Sequence, residues 1–193
     1  MEGVEAAEGD EPRATRIGAG GLTDRCVSVV LGGSTYGIPI RDVQEIIGAR
    51  PLTRVFKAPP ALAGVTSLRG DILTVIDLSL LLGIASYEQV GDRRSPSPPA
   101  RATGARELRI VVVRECGGAQ RRAGLRVDAL GPVRELPRGL EGMDPAPATV
   151  APGIRAFLRG VITDPPLCAV LDVSQIFDAP VLAALAGRRV EGA

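Results

Sequence analysis

The stretch Gly64-Val65-Thr66-Ser67-Leu68-Arg69-Gly70-Asp71-Ile72-Leu73-Thr74-Val75-Ile76-Asp77-Leu78 constrains this chain more than any other, because a weaker copy of it returns in the second half. It reads as strand, corner, strand and helix start. Residues 71–76 are rich in β-branched side chains and bounded by Gly70 and Asp77, which favours a short buried strand over a helix. Downstream, Leu158-Arg159-Gly160-Val161-Ile162 repeats the corner, and Ala169-Val170-Leu171-Asp172-Val173 repeats the strand with its terminal aspartate. Two copies predict two similar units.

The repeat extends beyond the corners. Residues 26–31 and 36–40 read as strands joined by Gly32-Gly33-Ser34-Thr35, a hairpin. Residues 108–113 and 123–127, turned by Gly117-Gly118-Ala119-Gln120, mirror it, and Val133-Arg134-Glu135-Leu136 echoes Val43-Gln44-Glu45-Ile46. The segment at Val43, Ile46 and Ile47 is so short that a helical turn and a bent strand both fit it. Asp77 stands before Leu78-Ser79-Leu80-Leu81-Leu82, and Asp172 before Val173-Ser174-Gln175-Ile176-Phe177, each in the place of a helix N-cap. Capping accounts for both aspartates without a carboxylate pair for acid–base catalysis. Roughly ten short strands in two equivalent sets predict an all-β chain of two small closed barrels, since closure removes exposed sheet edges.

The connecting segments set the expected boundaries. Residues 1–24 carry Glu2, Glu5, Glu8, Asp10 and Glu11, then Gly18, Gly20 and Gly21, and have no periodic apolar face to bury, so they read as a disordered tail. No phosphate-loop pattern completes those glycines. Residues 25–84 form the expected first barrel, 88–106 a linker rich in proline, serine and arginine, 107–178 the second barrel, and 179–187 a short C-terminal helix. Residues 50–60 hold three prolines, which confine them to an edge or a wrapping loop.

Composition removes whole classes of function. The chain has 193 residues and no histidine, which excludes Ser-His-Asp and Cys-His catalysis and most zinc sites, so no catalytic, metal or cofactor residue is assigned. Cys26, Cys116 and Cys168 lie far apart in apolar surroundings and read as buried reduced thiols. Acidic and basic residues nearly cancel, 22 against 23, so no net field draws the chain to nucleic acid or an anionic membrane. No apolar run reaches the roughly 18 residues of a membrane-spanning helix, and nothing resembles a signal peptide. The cytoplasm is the expected compartment.

Tyr36-Gly37-Ile38-Pro39-Ile40, Val43-Gln44-Glu45-Ile46, Ala58-Pro59-Pro60-Ala61-Leu62, residues 64–78 and Gly124-Leu125-Arg126-Val127-Asp128, in that order and spacing, resemble the CheW family of chemotaxis coupling proteins over residues 25–178. The resemblance implies two SH3-like five-stranded barrels packed on each other, and no catalysis. It also implies an adaptor between the cytoplasmic tips of methyl-accepting receptors and the regulatory domain of a CheA-type histidine kinase, recruited to membrane-associated arrays. On that resemblance the receptor groove falls around Val43, Glu45, Val65, Leu68, Arg69 and Gly70, with Arg69 expected to pair with Glu45. The same residues have a structural reading, in which the ion pair ties the barrel together and the valines are core.

Ser67 stands where the family usually has asparagine, and Thr74 where it usually has proline. Those departures leave open a chemosensory pathway with a non-flagellar output. The rival reading from another class, a small-barrel binder of single-stranded nucleic acid, needs aromatic stacking platforms in a basic groove. Aromatic residues make up 3% of this chain and tryptophan is absent.

Overall fold

The computed structural model describes residues 25–84, 108–115, 121–136, 143–148, 150–163, 167–180 and 182. The expected tail at 1–24 and linker at 88–106 lie outside them, as does most of the expected terminal helix at 179–187. Ten strands and three short helices are described: β1 (Arg25–Leu31), β2 (Ser34–Pro39), β3 (Val43–Gly48), β4 (Leu62–Leu68), β5 (Asp71–Asp77), α1 (Leu78–Leu81), β6 (Arg109–Arg114), β7 (Arg122–Val127), β8 (Ala129–Glu135), α2 (Pro152–Arg155), β9 (Leu158–Ile162), β10 (Cys168–Leu171) and α3 (Val173–Asp178). A single 3-10 turn, Ile40–Asp42, separates β2 from β3, so the ambiguous segment at Val43 is a strand entered through a tight turn.

The strands form two five-stranded sheets, in the orders β8-β1-β2-β10-β9 and β3-β6-β7-β5-β4. Exchanging each strand for its counterpart in the other half turns one order into the other. The halves are nevertheless not the sheets. Each half gives its hairpin to one sheet and its last three strands to the other, which corrects the expected division into a barrel at 25–84 and a barrel at 107–178. The exchange is made by two antiparallel pairings, β1 with β8 and β3 with β6, and by the parallel pairings in each sheet, Val170 beside Gly37 and Val75 beside Gly124. Arg159 and Gly160 lie inside β9 and occupy the places of Ala63 and Gly64 in β4, so the downstream Leu-Arg-Gly is a strand and not a copy of the Leu68-Arg69-Gly70 corner.

The continuous apolar runs of β1 and β6 now have a cause, because both strands bury both faces. Val27, Val29 and Leu31 meet Val111, Val113, Leu125 and Ile76 in a central cluster that also takes Leu78, Val173, Ile176 and Phe177 from the helix ends. On their other faces, Ile110 and Val112 join Leu68, Leu73 and Val75 inside the second sheet, and Cys26 joins Cys168, Ile162 and Val170 inside the first.

Among the described residues neither sheet closes through a full ladder. Each is drawn towards closure there by an isolated bridge, Thr53 to Val65 and Asp144 to Val161. Residues 50–53, expected as a wrapping loop, run along the outer edge of β4, where Arg50 Nη1 also donates to Ser67 O at 2.9 Å. A side chain at Gly64 would put its Cβ 2.6 Å from Thr53 O, and Gly64 holds φ +146°, so the crossing requires glycine. Gly160 does the same work against Met143 and Asp144.

Candidate functional site

Leu68 and Asp71 are the last ladder pair of the β4–β5 hairpin, which leaves Arg69 and Gly70 as a two-residue loop. Their φ values of +55° and +91° are those of a primed turn, the type whose twist matches the flanking strands. Glycine adopts this geometry freely, whereas an arginine held there carries strain of about 1 kcal/mol.

The strained residue projects over the edge of β3. Arg69 Nη2 donates to Glu45 Oε2 at 2.9 Å, with the arginine side chain 77% exposed and the glutamate side chain 20% exposed. Among the described residues the other guanidinium nitrogens of Arg69 make no hydrogen bond, so most of the fork remains available to a partner's carboxylate or carbonyl. Asp71, across the turn, accepts from Arg122 Nη2 at 2.9 Å. Beside it Ile72 is 79% exposed, opposite the exposed Ser67 of β4.

Of the six residues singled out in the sequence, the structure brings Glu45, Arg69 and Gly70 together at this tip. Val43 opens β3 and packs against the central cluster, while Val65 lies up β4, half-buried beside Thr74. Leu68 is buried inside the second sheet and supports the turn from beneath. Ile72 is not legible as a surface residue in the sequence, because an isoleucine within a β-branched run reads as core. Its exposure follows only from the register that places Leu73 and Val75 inward.

Both aspartates cap helices and hold an arginine. Asp77 accepts from Leu80 N at 3.1 Å and from Arg126, and Asp172 accepts from Ser174 N at 3.0 Å and from Arg159. At the far end of α3, Arg121 grips Glu115 with two bonds of 2.7 and 2.6 Å and reaches Asp178 and Phe177 O. These carboxylates raise the arginine further above its already high range. Among the described residues no three histidine, cysteine, aspartate or glutamate side chains converge as a metal-binding group, and no helix is long and apolar enough to cross a membrane.

Residues 25–181 match the family described as CheW-like domain. The chain is 33% identical over 131 residues to a chemotaxis protein CheW of Klebsiella aerogenes, a match covering 68% of this chain and 67% of that one. It is 26% identical over 148 residues to a probable chemotaxis protein CheW of Rhizobium etli, covering 76% and 83%. Among solved structures, the scaffolding protein TtCheW of Thermoanaerobacter tengcongensis superposes with a TM-score of 0.59 at 27% identity, covering 78% of this chain and 89% of that one. With the two exchanged five-stranded sheets, these likenesses establish that the chain belongs to the CheW-like family, the non-enzymatic scaffold adaptors of chemotaxis, and has their double SH3-like fold.

Proposed function

We propose that this chain couples the cytoplasmic tips of methyl-accepting receptors to the regulatory domain of a CheA-type histidine kinase, working in the cytoplasm at membrane-associated arrays. The receptor surface is the hairpin tip: Glu45, Arg69 and Gly70, flanked by Val43 and Val65 and supported by Leu68. The observation that carries this reading is Arg69, a strained residue whose carboxylate partner engages only one of its nitrogens. A turn serving the fold alone would be relaxed by glycine or asparagine at that position. Strain kept at an exposed position supports a binding role.

The test is reconstitution of the full chain with receptor tips and kinase. Addition of the chain should raise kinase output, and Arg69→Ala should weaken receptor association while leaving kinase-domain association intact. Unchanged receptor affinity in a folded Arg69→Ala protein would remove the tip from the receptor surface.

A further inference from the structure

The exchanged repeat supplies an internal control on core chemistry. Inside the second sheet, Ile110 and Leu73 meet over Gly124, whose Cβ, if present, would lie 2.7 and 3.2 Å from them, and Leu52 packs over Gly64. The equivalent positions of the first sheet are Cys26 and Cys168, whose sulfurs lie 2.9 and 3.2 Å from the same point on Gly37, and Met143 over Gly160. Val112 has Ser28 as its counterpart. One sheet fills the shared shape with four aliphatic side chains, so packing alone does not call for the two thiols, thioether and hydroxyl of the other.

Cys26, Ser28 and Cys168 are all fully buried, and the Ser28 hydroxyl has no hydrogen-bond partner. Met143 is partly exposed and packs against the cluster from its edge, with Leu136 beside it. Arg134 pairs with Cys26 across β8 and β1, and its positive charge acts on both thiols. A disulfide does not suit the pair. Cys26 and Cys168 sit on β1 and β10 with β2 between, and Cys26 lies opposite Pro39 whereas Cys168 precedes the Ala169–Tyr36 pair, so an offset along β2 adds to two strand spacings of roughly 9 Å, beyond the span of about 7 Å that disulfide Cα atoms bridge.

We propose that Cys26, Cys168 and Met143 form a site for one soft monovalent cation of the Cu(I) class, held by two thiolates and a thioether inside the first sheet. Sulfur donors of this kind select Cu(I) over harder divalent ions. Binding releases the two thiol protons to solvent and transfers no electron. The two thiolate charges are then balanced by the metal and Arg134, which leaves the buried cluster neutral. Met143, at the exposed edge, is the point of entry.

The experiment delivers Cu(I) anaerobically to the full chain as its bathocuproine complex, follows chelator displacement, and reads the metal's ligands by X-ray absorption. The expected result is one Cu(I) per chain in an all-sulfur shell, unchanged by Cys116→Ser and accompanied by a raised Tm. A variant that copies the other sheet, Cys26→Ile with Ser28→Val, Cys168→Leu and Met143→Leu, should fold and lose Cu(I). If it does not fold, Cys168→Ser alone should weaken affinity by more than the roughly 100-fold that loss of an outer-shell partner costs. Surrender of Cu(I) to the chelator by the native chain, loss of binding in Cys116→Ser, or nitrogen and oxygen ligands in the spectrum would each overturn the site.

Discussion

Arg69 sets two small energies against each other. Its turn conformation costs about 1 kcal/mol, and an ion pair with one partner 77% exposed returns about 1 kcal/mol or less. Arg69→Gly should therefore leave urea stability nearly unchanged, whereas Arg69→Ala keeps the strain, loses the pair and should cost up to about 1 kcal/mol. Leu68→Ala, one position away but buried, should cost about 2–5 kcal/mol. The Cys26 S–H donates to Cys168 and, with Arg134, draws the Cys168 thiol from 9.0 down to about 7 against its burial. Cys26 is pushed up by the same hydrogen bond and by burial. Between about pH 7 and 9 the unfolded chain holds the extra proton, so stability contributed by Cys168 is present near pH 9 and lost as pH falls through about 7. Above pH 9 the unfolded chain ionises both thiols while the folded pair keeps one proton, so stability falls again. Thermal melts from pH 6 to 10, referenced to a Cys26→Ile, Cys168→Leu variant, should show a maximum near the unfolded thiol value of 9.0.

The elements separate what was legible in the sequence from what was not. Hairpins, caps and buried strands could be read because they are local: Asp77 needs only the backbone three residues ahead, and an apolar run bounded by turn residues is a strand wherever it pairs. Pairing partners are not local. Nothing in the run 108–113 says that it lies beside β3 and not inside a barrel of its own half. The three-letter likeness of Leu158-Arg159-Gly160 to Leu68-Arg69-Gly70 misled for the same reason, since both glycines mark tight geometry but one permits a turn and the other a strand crossing. Two substitutions tell these uses apart. Gly70→Ala meets no atom within 4 Å and should cost about 1 kcal/mol for its positive φ. Gly64→Ala adds a Cβ 2.6 Å from Thr53 O to a comparable strain, so overpacking of about 1–3 kcal/mol comes on top. Denaturant melts of the two variants should differ accordingly, and equal losses would show that the crossing is not tight.

At the scale of the whole molecule, two sheets that each need strands from both halves behave as one cooperative unit. Fluorescence and circular dichroism should report a single coincident unfolding transition. Cutting the chain within 88–106 should give two fragments that are each unfolded alone and recover native spectra when mixed, because each lacks the hairpin's partners until the other arrives. A folded fragment of residues 25–84 would contradict the exchange. The parallel pairing of β2 with β10 also imposes a timetable on synthesis. A ribosome releases the β1–β2 hairpin first and must add roughly 130 more residues, on the order of 10 s of elongation, before both strands that flank it have emerged. Throughout that interval both hairpin edges stay open to any passing strand, an exposure that ends only when β8 and β10 take their places on either side.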